Sequence, residues 1–257
     1  MLPDERRNFI YSHLHQYARV TIGDLAKLLD VSHMTIRRDV QFMENEGKVT
    51  VISGGVKLNE AVKQELPYVE KALLHHRSKR HIGAVAEMLV ESGQVIYLDA
   101  GTTTYEIARC IAAKLKKITI ITNDFTISDF LMKMPHVNLF HTGGQVDMRN
   151  RSCVGNSAAQ FIRGLNIDIA FISTSSWDIE HGLSTPDEGK AQVKQAVLAS
   201  ARRNILVTDS SKYGKYGMFH ICPLAQLTDI IYDDRLSDEI ENRLRLLPIR
   251  LHKAISQ

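Results

Sequence analysis

Apolar residues at helical spacing near the start of the chain predict two short helices separated by a tight turn. The first helix carries a single apolar stripe, made up of Ile22, Leu25, Ala26, Leu28 and Leu29. Thr21 can cap this helix at its N-terminus, and Ser32 can cap the second helix. Gly47 is suited to end the second helix in a left-handed conformation. The pattern therefore predicts a helix-turn-helix.

The second helix is predicted to have a core face and an exposed face. Ile36, Val40 and Met43 fall at positions i, i+4 and i+7, which indicates that they face the core. The opposite face and its flanks carry the candidate DNA-binding residues, which are Ser32, His33, Met34, Thr35, Arg37, Arg38 and Gln41. Adjacent arginines also occur on helices that only pack, so the helix pair alone leaves that interpretation open.

The side chains of the exposed face match the chemistry of a DNA major groove. A helix fits this groove, where Arg37 can bond O6 and N7 of guanine together and Gln41 can bond adenine. Thr35 and Arg38 are better placed for phosphate oxygens, which set the register without carrying sequence information. Double-stranded DNA is therefore the expected partner.

The flanking segments complete a winged helix over residues 1–58. Upstream, "DERRNFIYSHLHQY" predicts a helix whose Phe9, Ile10 and Leu14 face inward. Downstream, "KVTVISGGVKL" predicts two short strands about a Ser-Gly-Gly turn. The wing favours DNA binding over a helix pair that only packs.

The pattern changes after residue 78. Residues 59–78 are polar and interrupted by Pro67, as expected of a linker with a short helix. Residues 79–257 alternate helices with apolar strands, which are "QVIYLD", "ITIIT", "VNLFHT", "IAFIST", "ILVTD" and a further strand at Asp229 to Tyr232. Such strands are typical of a parallel sheet covered on both faces. The predicted fold class is α/β with a small α+β N-terminal domain, a winged helix-turn-helix followed by an open, mostly parallel α/β sheet.

Polar and glycine residues follow four of the predicted strands. The segment "DAGTTT" places Gly101, Thr102, Thr103 and Thr104 at a helix N-terminus, where backbone N–H groups and the helix dipole favour phosphate. The other three strand ends contribute Asn123, Gly143, Gly144, Asp209 and Lys212. Any one of these is equally a turn or cap residue. Their convergence on one edge of the sheet favours a small, polar, phosphorylated ligand.

Composition excludes several other classes of protein. A formal net charge of +3 is too small to indicate nucleic acid by itself. The chain has no run of eighteen apolar residues and is charged at its start, so we expect a cytoplasmic protein that does not contact a membrane. Its three cysteines are widely separated and its histidines are not spaced as ligands, so neither a metal nor a cofactor is expected.

Several segments together resemble the DeoR family of bacterial transcription regulators. The resemblance rests on "LAKLLDVS", "TIRRDV", "ENEGKV" and "GGV" in the first domain and on "DAGTTT", "TND", "TGG" and "TDSSKYG" in the second. It implies a C-terminal sugar-phosphate sensor that is similar in fold to ribose-5-phosphate isomerases.

The resemblance also implies roles for individual residues of the second domain. Gly101 to Thr104 would hold phosphate, and four residues would face hydroxyls or a carboxylate of the ligand, namely Asp99, Asn123, Glu188 and Lys212. The run that matches the family through Pro186 and Glu188 continues to Lys194. One departure is "STSSWDIEHG", where many relatives have a glycine and this chain has Ser176 and Trp177.

The combined expectation is a repressor of a carbohydrate or sugar-acid catabolic operon, modulated by a phosphorylated sugar, polyol or sugar acid. DNA half-sites about 34 Å apart would require a homodimer or homotetramer. The alternative is a sugar-phosphate isomerase-like enzyme with an accessory DNA-binding module, in which Glu188 is the general base and Lys212 neutralises an enediolate. Isomerases of that fold use a further pair of aspartates where this chain has Ser173 to Ser176, so no enzyme is expected. A ligand-free architectural DNA binder would not require the polar strand ends.

Overall fold

A computed structural model of the chain describes residues 2–17, 19–45, 48–58, 60–62 and 64–255. The N-terminal elements are α1 (Pro3–Tyr17), β1 (Arg19–Val20), α2 (Ile22–Leu29), α3 (His33–Asn45), β2 (Val49–Ile52) and β3 (Gly55–Leu58). The three strands form an antiparallel sheet in the order β1-β3-β2. Because β2 and β3 are joined by a tight turn at Ser53 and Gly54, they form the predicted wing.

Local capping explains where α2 and α3 begin. The Oγ1 of Thr21 accepts a hydrogen bond from the N–H of Asp24 at 3.0 Å. The Oγ of Ser32 accepts one from the N–H of Thr35 at 3.2 Å. Between the helices, Asp30 adopts a left-handed conformation with φ of 51° and turns the chain. Both predicted caps are confirmed, whereas the predicted helix end at Gly47 lies outside the described residues.

The core of this domain lies between the three helices and the wing. Ile36, Val40 and Met43 are buried, as predicted. The predictions for two other side chains are wrong, because Phe9 is 38% exposed and Leu28 is 52% exposed. Both lie beside the buried stripe of their helix, which is narrower than the sequence pattern indicated.

The rest of the chain forms the predicted α/β arrangement. Its elements are β4 (Glu60–Val62), α4 (Tyr68–Leu73), α5 (His76–Glu87), β5 (Val95–Leu98), α6 (Thr102–Ala113), β6 (Ile118–Thr122), α7 (Phe125–Leu131), β7 (Val137–His141), β8 (Gln145–Asp147), β9 (Ser152–Val154), α8 (Gly155–Arg163), β10 (Ile167–Ile172), β11 (Ser176–Asp178), β12 (Gly182–Thr185), α9 (Glu188–Ser200), β13 (Ala201–Thr208), β14 (Lys215–Gly217), β15 (Phe219–Cys222), β16 (Asp229–Asp233), α10 (Asp238–Leu244) and β17 (Arg250–Ala254). Among the described residues, no helix is both long and apolar enough to cross a bilayer.

Seven strands form one sheet in the order β17-β16-β13-β10-β5-β6-β7, and every neighbouring pair is parallel. Alternate residues of a strand point to opposite faces, so each face packs against its own apolar cluster. In β5, for example, Tyr97 belongs to one cluster and Ile96 and Leu98 to the other. The predicted fold class is confirmed, and the parallel order brings the ends of β5, β6, β10 and β13 to the centre of one edge.

The predicted linker residues lie against the α/β domain. Strand β4 pairs in parallel with β14, and α4 follows Pro67. Glu65 forms ion pairs with Lys71 at 3.0 Å and with Lys190 of α9 at 3.1 Å. Tyr68 is buried. These contacts place the segment beside the strand ends, where it forms part of a cavity wall.

Candidate functional site

The first candidate surface is the outward face of α3. Ser32, His33, Met34, Arg37 and Arg38 are exposed, whereas Thr35 and Gln41 are half-buried. The sharp alternation follows from helical periodicity, since the residues between them pack into the core. These exposed side chains are accessible to a binding partner.

Asp39, one of the two acidic residues of α3, is neutralised by arginines of α1. Asp39 is buried and forms an ion pair with Arg6 of α1, while Arg7 of the same helix lies 3.6 Å from it. The Arg6–Asp39 contact holds the pKa of the guanidinium above its usual value. Because Asp39 is paired inward, the outer face of α3 presents only neutral and basic side chains to a phosphate backbone.

The second candidate site is a cavity of about 520 Å³ at the carboxyl ends of the parallel strands. The sequence-predicted residues that line it are Asp99, Gly101, Thr102, Thr103, Asn123, Lys194 and Lys212. Further lining residues come from α4, from the loop after β10 and from α9. A cavity of this size accommodates a small phosphorylated sugar.

The N-terminus of α6 forms one wall of the cavity. The N–H of Gly101 donates to the carboxylate of Asp124 at 3.1 Å. The N–H groups of Thr102 and Thr103 begin the helix and have no carbonyl partner one turn earlier within it. They are therefore the backbone donors available to an anion, and the helix dipole adds to their effect. Burial raises the pKa of Asp124 to about 6.

Thr104 shapes this loop from the inside. Its side chain is fully buried, and its Oγ1 donates to the carbonyls of Asp99 at 2.6 Å and of Gly101 at 2.8 Å. The hydroxyl therefore holds the turn that precedes α6. It does not line the cavity.

A buried ion pair forms the floor of the cavity. The carboxylate of Asp99 contacts the ammonium of Lys194 and accepts hydrogen bonds from the N–H of Ser173 at 3.0 Å and from its hydroxyl at 3.2 Å. Lys194 also donates to the carbonyl of Ser173 at 2.8 Å. These bonds join the ends of β5 and β10 to α9, so Asp99 and Lys194 are fixed before any ligand arrives.

Asn123 links three strand ends. Its Oδ1 accepts from the hydroxyl of Tyr97 at 2.9 Å and from the N–H of Ala100 at 3.0 Å. Its Nδ2 donates to the carbonyl of Cys153 at 2.8 Å. Because both ends of the amide have partners, Asn123 positions the loop after β5 as well as lining the cavity.

Lysines dominate the charge of the cavity, and sequence reasoning missed most of them. The lining lysines are Lys71, Lys79, Lys190, Lys194, Lys212 and Lys215. Lys71 and Lys190 come from elements far apart in sequence and share the carboxylate of Glu65. A signal for one of the missed lysines was present, because Lys190 lies four residues before the predicted Lys194 on α9.

Lys79 and Lys212 differ from the paired lysines of the cavity. Among the described residues, neither ammonium has a carboxylate within 4.0 Å. Lys79 instead donates to the carbonyl of Leu74 at 2.7 Å, and burial lowers its pKa to about 8. Lys212 lies near Lys79 and Lys71, and these like charges repel one another, while the carboxylate of Asp209 acts on Lys79 in the opposite sense. An anion in the cavity would relieve that repulsion.

Four other predicted ligand residues do not line the cavity. Gly143 and Gly144 follow β7, which is an edge strand two places away from β5, and Gly144 lets α8 approach closely. Glu188 is exposed on the first turn of α9 and accepts a hydrogen bond from Gln192 at 3.5 Å. Asp209 is buried and caps the turn that carries Lys212, accepting from the N–H of Ser211 at 3.1 Å. Glu188 is therefore not placed to abstract a proton from a ligand in this cavity.

Two protein families match the chain, one for each part. The family described as a DeoR-like helix-turn-helix domain matches residues 6–62. The family described as a DeoR C-terminal sensor domain matches residues 74–234. The first match covers the winged helix, and the second covers most of the domain that contains the cavity.

Similar proteins match over nearly the whole chain. An uncharacterized HTH-type transcriptional regulator of Haemophilus influenzae is 45% identical over 98% of this chain and 97% of its own length. The uncharacterized HTH-type transcriptional regulator YgbI of Escherichia coli is 43% identical over 95% of each chain. A putative aga operon transcriptional repressor of Escherichia coli O157:H7 is 32% identical over 92% of this chain and 89% of its own length. These relatives are named as regulators and not as enzymes.

Among solved structures, ribose 5-phosphate isomerase A of Methanocaldococcus jannaschii aligns with a TM-score of 0.40 at 18% identity. The alignment covers 52% of this chain and 53% of that chain.

Proposed function

Because the chain belongs to the DeoR family of transcriptional regulators, we propose that it is a repressor of a carbohydrate or sugar-acid operon that a small phosphorylated effector releases from DNA. The observation that carries the proposal is the pairing, in one chain, of an open recognition face on α3 with a lysine-lined cavity at a helix N-terminus. A pure DNA binder needs only the first of these features, and an isomerase only the second.

On the DNA side, α3 enters the major groove. Arg37 reads guanine and Gln41 reads adenine, with His33 and Met34 beside them. Thr35 and Arg38 contact phosphates, and Ser32 holds the start of the helix through its cap. A two-fold operator with half-sites about 34 Å apart would bind a homodimer or homotetramer.

On the effector side, the phosphate lies at the start of α6. The N–H groups of Thr102 and Thr103 and their hydroxyls donate to it, and Lys79 and Lys212 neutralise its charge. Ser173 and Asn150 line the remaining space and can bond ligand hydroxyls. One relative is named as a putative aga operon transcriptional repressor, which supports repression as the mode of regulation.

Five residues of the predicted effector site act in this proposal from outside the cavity. Thr104, Gly143, Gly144 and Asp209 shape the loops that surround it, and Glu188 lies on the outer surface. Asp99, Asn123 and Lys194 both line the cavity and hold its wall.

The cavity assignment is tested by adding one charge to the phosphate site. Thr103→Glu places a carboxylate at the start of α6, and Thr103→Gln is the matched neutral control. We expect the glutamate variant to bind a phosphorylated compound at least about tenfold more weakly than the glutamine variant, since like charges repel. The measurement is isothermal titration of the full chain with whichever member of a panel of phosphorylated sugars, polyols and sugar acids stabilises it most. Equal affinities in the two variants would place the phosphate elsewhere.

A further inference from the structure

We propose that the segment Asp209–Gly217, which follows β13, transmits effector binding from the cavity to the wing of the DNA-binding domain. This inference rests on the proposed function and adds a residue-level route for its regulation. Lys212 and Lys215 of the segment line the cavity, and Gly214 between them contacts the wing. A shift of a few tenths of an ångström at Lys212 must therefore be accommodated at Gly214, because packed contacts deform poorly.

Lys212 is the first of the two residues of the segment that line the cavity. Its ammonium has no carboxylate within 4.0 Å among the described residues, and its charged neighbours include Lys71, Lys79 and Asp209. An anion at the start of α6 would attract this ammonium, whereas Lys71 and Lys79 repel it. A phosphate there would add an attractive force on Lys212 and so favour one position of the segment.

Gly214 is the residue of the segment that contacts the wing. Its φ is 70°, and a Cβ built on it would lie 2.7 Å from the Cβ of Thr50 in β2. Its N–H donates to the carbonyl of Trp177 at 3.0 Å. Only a glycine fits so close an approach, so the segment and the wing are in direct backbone-to-side-chain contact.

A second contact joins the same two regions. Strand β14 of the segment pairs in parallel with β4, which follows directly after the wing strand β3 in the chain. Lys215 of β14 and Val62 of β4 both line the cavity. The wing is therefore tied to the cavity through its own continuation as well as through Gly214.

Arg243 of α10 anchors the recognition helix in the same arrangement. Its guanidinium donates to Glu44 at 3.1 Å and to Glu180 at 2.5 Å. Glu44 lies near the end of α3 and also accepts from the N–H of Val51 in the wing, at 3.1 Å. The outward face of α3 between His33 and Arg38 stays exposed. Docking therefore fixes the orientation of the DNA-reading face without covering it.

Trp177 provides a natural reporter for the segment. It is the only tryptophan in the chain and is buried. Its ring lies 4.9 Å from that of Tyr213, between Lys212 and Gly214, and its Nε1 donates to Thr208 at 3.1 Å. Because the DNA-binding domain has no tryptophan, a change in emission on adding DNA must arise within the α/β domain.

The experiment follows tryptophan emission of the full-length protein during two titrations at constant ionic strength. One titration uses an unlabelled DNA fragment from upstream of the protein's own gene, while fluorescence anisotropy of a labelled copy measures DNA binding in parallel. The other titration uses inorganic phosphate. We expect both additions to change the emission of Trp177. By reciprocity, phosphate should weaken DNA binding by the same factor as DNA weakens phosphate binding, typically about 5- to 150-fold.

Two variants distinguish transmission of the signal from binding of DNA, and a third variant is their control. In Gly214→Ala the added Cβ displaces the wing, so we expect operator affinity to fall about tenfold without phosphate and the further effect of phosphate to disappear. Arg243→Ala removes the anchor without a clash, and the emission change on adding DNA should at least halve. Arg245→Ala, on an exposed arginine two residues along the chain from Arg243, should behave as wild type.

The outcomes distinguish this inference from the proposed function. Specific DNA binding by anisotropy with unchanged Trp177 emission would overturn the transmission route and leave the regulator assignment standing. Equal losses of the emission change in Arg243→Ala and Arg245→Ala would also overturn it. Absence of any specific DNA binding by the wild type would overturn the proposed function and the inference together.

Discussion

The two candidate sites differ in how their residues relate to the packing of the protein. On α3, Arg37 and Arg38 are exposed. In the cavity, Asp99, Lys194 and Asn123 are buried and bonded to the backbone of neighbouring loops. The arginines of the first site are accessible to a partner that supplies hydrogen-bond acceptors. The residues of the second site are already held by hydrogen bonds within the protein.

This difference teaches that function and stability separate in one domain and coincide in the other. A DNA groove brings acceptors to an exposed arginine, so the free protein gains nothing from that side chain. A small ligand needs a preformed pocket, and the residues that form it also hold the strand ends together. Substitutions should show the contrast directly.

The largest effect is expected where a buried charge loses its partner. In Lys194→Met, Asp99 stays buried with only neutral donors, and we expect a loss of about 3–5 kcal/mol in the free energy of unfolding. Lys212→Met is the control within the same cavity and should change stability by less than about 1 kcal/mol, since it breaks no ion pair. Urea unfolding of both variants measures the difference. Similar values would remove the contrast between a bonded floor and a free lysine.

On the recognition face, Arg37→Ala should act on DNA and not on folding. We expect a loss of about 1–3 kcal/mol in operator binding, confined to one base pair, with unfolding unchanged within about 0.5 kcal/mol. Arg38→Ala is the matched neighbour and should weaken binding to all sequences alike, lowering the salt slope by about one. Competition binding against single-base operator variants distinguishes the two. A stability loss of the size expected for Lys194→Met would show that the face is part of the fold.

The role of Lys79 in ligand binding can be tested by changing the pH, because burial lowers the pKa of its ammonium to about 8. A phosphate monoester is already dianionic above pH 7, so its affinity should fall about tenfold between pH 7 and 9 as the ammonium loses its proton. Stability should move the other way. The unfolded state keeps this proton up to the usual pKa near 10.4, so it binds more protons than the folded state above pH 8, and the free energy of unfolding rises with pH in that window.

Lys79→Met provides the control for this pH dependence. The variant should bind the ligand weakly at pH 7 and lose most of the change between pH 7 and 9. Titration calorimetry at several pH values makes the measurement. A wild-type affinity that stays constant over the same range would mean that Lys79 does not contact the phosphate.

The smallest effect is expected at Ser32, a candidate DNA-binding residue whose hydroxyl also caps α3. Ser32→Ala removes the cap of α3 and should cost about 1 kcal/mol in stability. Thr21→Ala removes the equivalent cap of α2 and is the natural reference. Thermal unfolding of both should give similar shifts. A Ser32 variant that is fully stable but weak in DNA binding would make this hydroxyl a direct contact.

The helix-turn-helix could be predicted from the sequence because its signals are local. Caps at Thr21 and Ser32 and the apolar spacing of Ile36, Val40 and Met43 all lie within a few residues of the structure they specify. The same reasoning overestimated the apolar stripe at its margins, which is why the predictions for Phe9 and Leu28 were wrong. The apolar strands of the parallel sheet could also be predicted, because their signals are local as well.

The lysine-lined cavity could be predicted only in part, because it is assembled from distant segments. Lys71 and Lys79 come from the region before the sheet, and Lys190 meets Lys71 through Glu65. The strands that bring this region into place, β4 and β14, have three residues each and no periodicity to recognise. The edge position of β7 likewise depends on the strand order, so Gly143 and Gly144 could not be separated from the cavity residues by sequence alone.

The central claim is that binding of a phosphorylated effector weakens the binding of operator DNA to the same protein. The most direct measurement is fluorescence anisotropy of a labelled fragment from upstream of the protein's own gene, titrated with full-length protein at fixed salt, with and without each member of a panel of phosphorylated sugars, polyols and sugar acids. Fixed salt is essential because phosphate contacts make DNA affinity steeply dependent on ionic strength. We expect tight, sequence-selective binding that one phosphorylated compound weakens and its unphosphorylated counterpart does not. Specific binding that no compound alters would contradict the account.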